Sequence, residues 1–130
     1  MQDRPTADEL LDAVAGYLFA ELRPSVAREE RFRLLVAANL CAVVARELRA
    51  GDGPTLADLA LFREASGSAG PKPQPSQAGA ELEAETRRAA AELAALIREG
   101  GLDDRLPETV TMLREHVRRK LEVARPGYDE

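Results

Sequence analysis

Apolar residues recur along most of this chain at the three- and four-residue spacing of helices, without the alternation that marks strands. The first run places Ala7, Leu11, Val14, Leu18 and Leu22 on one stripe, with Leu10 and Tyr17 at its edge. Thr6-Ala7-Asp8-Glu9 opens it as a capping box, a hydroxyl at the N-cap answering a carboxylate three residues on. Pro24 predicts its end, because the residue before a proline is pushed out of αR geometry. A second helix is predicted from about Ala27 to Ala50, with Gly51 as a left-handed cap. This one is apolar on nearly every side. Phe32, Val36, Asn39 and Val43 stack along one face, with Leu34, Ala37, Cys41, Val44 and Leu48 roughly opposite. A helix apolar all round is normally buried all round. The first face is therefore expected to pack into its own chain, and the second against a short helix around Leu59 or another subunit.

Asp52-Gly53-Pro54 reads as a turn and Thr55 as the N-cap of that short helix, which runs to about Glu64 with Leu56, Leu59, Ala60 and Phe62 inward. Residues 66–79, rich in Gly, Pro and Ser, read as a flexible linker. A third long helix spans about Ala80 to Glu99, its stripe Leu82, Thr86, Ala89, Leu93, Leu96 and Ile97, and stops at Gly100-Gly101. Pro107 suits the first turn of a last long helix, striped by Val110, Leu113, Val117, Leu121 and Ala124. The expected fold is all-α: one domain over residues 1–130, an antiparallel bundle of four long helices plus one short helix.

Composition narrows the function classes. With 45% hydrophobic residues, 4% aromatics and no Trp, the core must be built from Ala, Leu and Val. A net charge of −5 argues against a nucleic-acid partner, which needs a basic surface to displace counterions. The basic residues Arg114, Arg118, Arg119, Lys120 and Arg125 read as a solvated helix end at the negative pole of the macrodipole. No apolar run is long enough for a membrane partner, and no leader pattern opens the chain, so a cytoplasmic location is expected. The one cysteine, Cys41, reads as a small hydrophobe.

Groups able to carry chemistry are scarce. His116 is the single histidine, has no triad or zinc spacing around it, and reads as a boundary residue on the last helix. Asn39, an amide in an apolar stripe, must find a hydrogen bond if buried. It either sets helix register or anchors a ligand in a bundle pocket whose mouth carries Arg46, Glu47 and Tyr17. An enzymatic reading would rest on Glu47 with Arg46 or His116, without a convincing acid–base pair. No catalytic residue, metal site or cofactor is assigned.

Three segments, DRPTADELLDAVAGYL, VAANLCAVVAREL and HVRRKLEVARPGY, resemble a bacterial family of small proteins of unknown function. That family's pattern runs D-R-P-T-x-x-E-L-L, then V-A-A-N-x-L-x-I-V-x-R-E-L, then K-L-x-V-A-N-P-x-Y. Its polar signature falls here on Asp3, Arg4, Thr6, Glu9, Asn39, Arg46, Glu47, Lys120 and Tyr128, while Arg125 stands where the pattern has Asn. The bottom-up reading makes Thr6 and Glu9 a cap, and lets Asp3 and Arg4 pair with Lys120 or Glu47 to clamp the termini. The resemblance implies genes beside acyl-CoA dehydrogenases and aminoglycoside-phosphotransferase-like kinases. The leading expectation is a non-catalytic accessory protein, homodimeric, that binds such a kinase or dehydrogenase in acyl-CoA or hydroxy-acid catabolism. The alternative is a module binding an acyl or hydroxy-acid ligand through Asn39 and Arg46.

Overall fold

A computed structural model describes residues 4–68, 70 and 79–128. Every element among them is helical: α1 (Ala7–Gly16), a π-helical segment (Tyr17–Leu22), α2 (Arg23–Ser25), α3 (Arg28–Ala50), α4 (Gly53–Ser66), α5 (Gly79–Arg98), a 3₁₀ turn (Asp103–Arg105) and α6 (Leu106–Ala124). The all-α expectation holds. The contacts group into two helical units, one running to Gly51 and including Val123 onward, the other Asp52–Glu122. The single antiparallel bundle of four long helices stays an expectation.

In the first unit the Glu9 carboxylate accepts the Thr6 backbone N–H at 2.9 Å, closing the capping box that the sequence predicts. Pro24 does not stop the chain abruptly. It sits in the first turn of α2, and ahead of it the hydrogen bonding widens so that the Arg23 N–H reaches Leu18 O, five residues back. A proline lacks the N–H that the next bond would need and crowds the carbonyl four residues earlier. A π turn absorbs both demands. α3 then returns antiparallel to α1, since Arg49 near its end bonds Asp8 and Asp12 near the start of α1. Gly51 ends α3 with φ 58° and ψ −148°, a positive-φ conformation outside the expected αL region and open essentially to glycine alone.

The faces of these helices differ from the expected ones. On α3 the buried residues are Ala38 and Ala45, flanked by half-buried Leu34, Cys41 and Ala42, so small side chains form the seam against α1. Small residues let two helix backbones approach, and the bulky ones are turned away. Phe32, Val36, Leu40, Val44 and Leu48 are 71, 41, 58, 42 and 53% exposed, against the expected inward Phe32–Val36 face. On α1, Ala15 rather than Val14 continues the inner line, and Val14 joins Leu10 and Tyr17 outside.

In the second unit α4 begins three residues earlier than an N-cap at Thr55 predicts, with Asp52 at the N-cap and Pro54 in the first turn. The predicted linker falls mostly outside the described residues; Ser66 still belongs to α4 and Gly79 opens α5. A Cβ on Gly79 would stand 3.7 Å from an Asp52 carboxylate oxygen, so α4 and α5 start at the same end of this unit. Simple antiparallel alternation does not predict that. The core joins Leu59 and Phe62 of α4 to Leu82, Ala89 and Leu93 of α5 and to Leu102 in the connector. Gly100, at φ 77°, and Gly101, whose N–H bonds Leu96 O at 3.0 Å, end α5 as expected.

Two predicted stripes hold in part, but polar residues share both faces. Leu56, Leu59 and Phe62 turn inward on α4, and Leu113 and Leu121 are half-buried on α6. Ala60 is exposed and Asp58 is buried in its place. On α6, Val110 and Val117 are exposed, while Thr109 is buried and Met112, His116 and Arg119 are half-buried. One buried charge links both departures.

Candidate functional site

The charge is Asp58. Its carboxylate cannot lie inside a helical core without partners, and α6 supplies them at i, i+3 spacing. Arg119 donates to Oδ1 through Nη2 at 2.7 Å and Nε at 3.0 Å. His116 places Nδ1 2.9 Å from Oδ2. That approach is too bent for a hydrogen bond, so the buried Nδ1 has an ion-pair neighbour and no aligned partner. The imidazole packs edge-on against Phe62, centroids 4.9 Å apart and planes at 66°. Arg119 also reaches Glu115 at 3.1 Å. The side chains of Asp58, His116 and Arg119 are only 12, 16 and 16% exposed, so the cluster is tied to the core and opens in one direction.

It opens onto a cleft of about 310 Å³ lined by α4, α5 and α6. Asp58 and His116 form one wall, Phe62 and Ala90 the apolar floor, and Arg87 and Lys120 stand on the rim with Glu83. No described carboxylate pairs with Arg87 or Lys120. A larger groove of about 540 Å³ runs between the end of α4 and the start of α6, past Leu61, Ala65, Pro107 and Met112. Farther along α6, Arg118 bonds Glu115 at 2.7 and 3.0 Å and pairs with Glu122. The Arg118 hydrogen bond holds the Glu115 carboxyl below its ordinary range, and the same contact raises Arg118.

The sequence-predicted site does not assemble in this way. Asn39 is exposed, with no described hydrogen-bond partner, because it lies off the alanine seam rather than on it. It therefore sets no register through a buried bond among the described residues. Arg46 is committed elsewhere: its Nε donates to Val123 O at 2.5 Å and pins the end of the chain to α3. Glu47 and Tyr17 are exposed. Arg4 lies 3.7 Å from Glu9 rather than pairing with Glu47. Thr6 caps α1, and Tyr128 carries the Arg125 guanidinium 5.1 Å from its ring centroid. Asp3 lies outside the described residues. Of the signature residues, Lys120 alone lines the cleft.

The sequence reading puts His116 at a boundary, gives Asp58 no role and counts Arg119 in a solvated helix end, whereas Arg119 is turned in to pair with Asp58. A signal was there: Asp58 falls beside Leu59 and Phe62, and His116 and Arg119 share a helix face with Met112. No helix is long and apolar enough to cross a membrane. No curated protein and no solved structure matches the chain. A family model does match, over residues 24–128, which starts after the D-R-P-T segment and takes in α3 through α6. The chain therefore belongs to the family described as a domain of unknown function, DUF6285.

Proposed function

We propose that this chain is a non-catalytic, cytoplasmic accessory protein that acts by association, and that its first partner is a second copy of itself. The supporting observation is the outer ridge of α3. Phe32, Val36, Leu40, Val44 and Leu48 follow one another at four-residue steps, all exposed. Helical phase puts Leu10, Val14 and Tyr17 of antiparallel α1 on the same side of the hairpin. Together they expose apolar surface on the order of 800 Å², about what each partner contributes to a standard protein interface.

The ridge is also self-complementary. Turning a second α3 antiparallel about Leu40 sets Val36 against the partner's Val44 and Phe32 against the partner's Leu48. The same operation brings Arg33 opposite the partner's Glu47, so the charges bordering the ridge are opposite in sign and attract. Sedimentation equilibrium tests this reading. A dimer is expected, with Leu40→Asp giving monomers because it sets two carboxylates face to face at the axis. Arg33→Glu weakens the dimer and Arg33→Glu/Glu47→Arg restores it. A monomeric wild type overturns the reading, and a charge swap that fails to rescue overturns the register.

The enzyme so supported is a kinase or acyl-CoA dehydrogenase, following the resemblance; co-purification with a purified enzyme of either class tests that arm separately. The alternative reading, a small-molecule module, loses its support at Asn39 and Arg46. A cleft suited to it lies in the other unit.

A further inference from the structure

We propose that the α4–α5–α6 cleft binds a small ligand ending in an oxyanion, a carboxylate or a phosphate, with a short apolar portion against Phe62 and Ala90. The reading is independent of the α3 ridge, which belongs to the other unit. Charge comes first. Among the residues lining the cleft, Asp58 is already neutralised from behind by the two Arg119 hydrogen bonds. What remains at the surface is Glu83 against Arg87 and Lys120, an excess of one positive charge with neither cation held by a described carboxylate. Exposed cations without partners on the rim of a concave site focus the field that draws an anion in.

The wall supplies direction. His116 presents Nδ1 to Asp58, and among the described residues no protein group bonds Nε2, the ring position left for the cleft. Asp58 beside Nδ1 and Phe62 against the ring hold the imidazole with its Nε2 edge to the cleft, where the imidazolium form donates Nε2–H to an anion. His116 Nε2, the Arg87 guanidinium and the Lys120 ammonium come from α6, α5 and α6 and converge on one opening. Charge-assisted bonds from three such donors are the ordinary means of holding an oxyanion. The floor is apolar at Phe62 and Ala90, and Thr55 and Thr86 border it. The Thr86 hydroxyl is turned away to its own helix, bonding Leu82 O at 2.8 Å. The cleft, about 310 Å³, is at the lower end of the range for small-molecule sites, which suits a headgroup with a few carbons.

A single histidine makes the test direct, because its imidazole NMR signals need no assignment. Inorganic phosphate and butyrate are titrated separately into the full chain at constant ionic strength, with chloride as the reference salt. Saturable movement of the His116 resonances is expected with at least one probe, and the responding probe tells phosphate from carboxylate. Arg87→Ala and Lys120→Ala should each weaken that binding roughly tenfold. Both side chains are exposed and pair with no described carboxylate, so circular dichroism and the melting curve should stay as in wild type. Movement that matches chloride, or fails to saturate, overturns the proposal. So does wild-type affinity in the Arg87 and Lys120 variants.

Discussion

In the first unit α3 buries alanines, Ala38 and Ala45, against α1, and its large side chains stand outside. In the second, α4 and α5 bury Leu59, Phe62, Leu82 and Leu93 in one cluster, and charged groups are drawn in beside them. Both units are helical, and the first is the richer in large apolar and aromatic residues, yet only the second encloses its bulk. Small residues bring two helices close but remove little apolar area from water, and burial free energy scales with that area. A hairpin built this way leaves its large side chains outside, and the proposed self-association rests on them. A unit with a large-residue core closes on itself and has a wall to spare for a site. The comparison teaches that the location of the large side chains, more than their number, separates an open apolar face from a closed core.

The sharpest way to break that comparison is to remove bulk where it is enclosed. Leu59 is fully buried at the centre of the second unit's cluster. Leu59→Ala should cost about 3 kcal/mol, the transfer loss plus an unfilled cavity. Urea unfolding followed by circular dichroism measures it, and a loss below about 1 kcal/mol would show that this unit is no better packed than the hairpin.

Much of this layout was legible in the chain and some was not, for reasons that particular residues display. Helix ends were readable because they depend on local chemistry: Glu9 reaching back to Thr6, Gly100-Gly101 closing α5, proline opening the first turn of α6. Helix faces were not. The apolar wheel of α3 offers more than one candidate inner face, and periodicity alone cannot tell a seam of alanines from a ridge of leucines. Asn39 was placed inside by an apolar average when the true seam runs through Ala38 beside it. On α6 the apolar stripe lost to Asp58. Satisfying one buried carboxylate outweighs covering Val110 and Val117, and that partner lies 61 residues away from Arg119, beyond any local pattern.

A smaller effect sharpens the first half of the comparison. If close approach defines the α1–α3 seam, filling it should hurt as much as emptying a core does elsewhere. Ala45 is fully buried, and Ala45→Leu should cost about 2 kcal/mol through overpacking. Native-state hydrogen exchange locates the loss: amides of α1 and α3 should lose protection while those of α4 and α5 keep theirs. A uniform loss across both units would mean that they unfold as one.

The smallest effect concerns the polar clasp that holds the open end of the same hairpin. Asp8 accepts the Thr6 hydroxyl at 2.6 Å and lies 3.0 Å from Arg49, which also reaches Asp12 at 2.7 Å. The Thr6 hydrogen bond, chiefly, and then Arg49 hold the Asp8 carboxyl below its ordinary value of 3.8. A carboxyl depressed in the folded state stabilises it above the ordinary value, and the contribution fades as pH falls below 3.8 through the depressed one. Acid should therefore loosen the α1 end before it touches the leucine core of the other unit. Following the Asp8 carboxyl by NMR separates the two causes. Thr6→Val should move its titration midpoint up more than Arg49→Gln does, and added salt should erase the Arg49 share while leaving the Thr6 share in place. If Arg49→Gln gave the larger shift, the clasp would be an ion pair between helices instead of an extension of the α1 cap, and the hairpin's open end would weaken with salt as well as with acid.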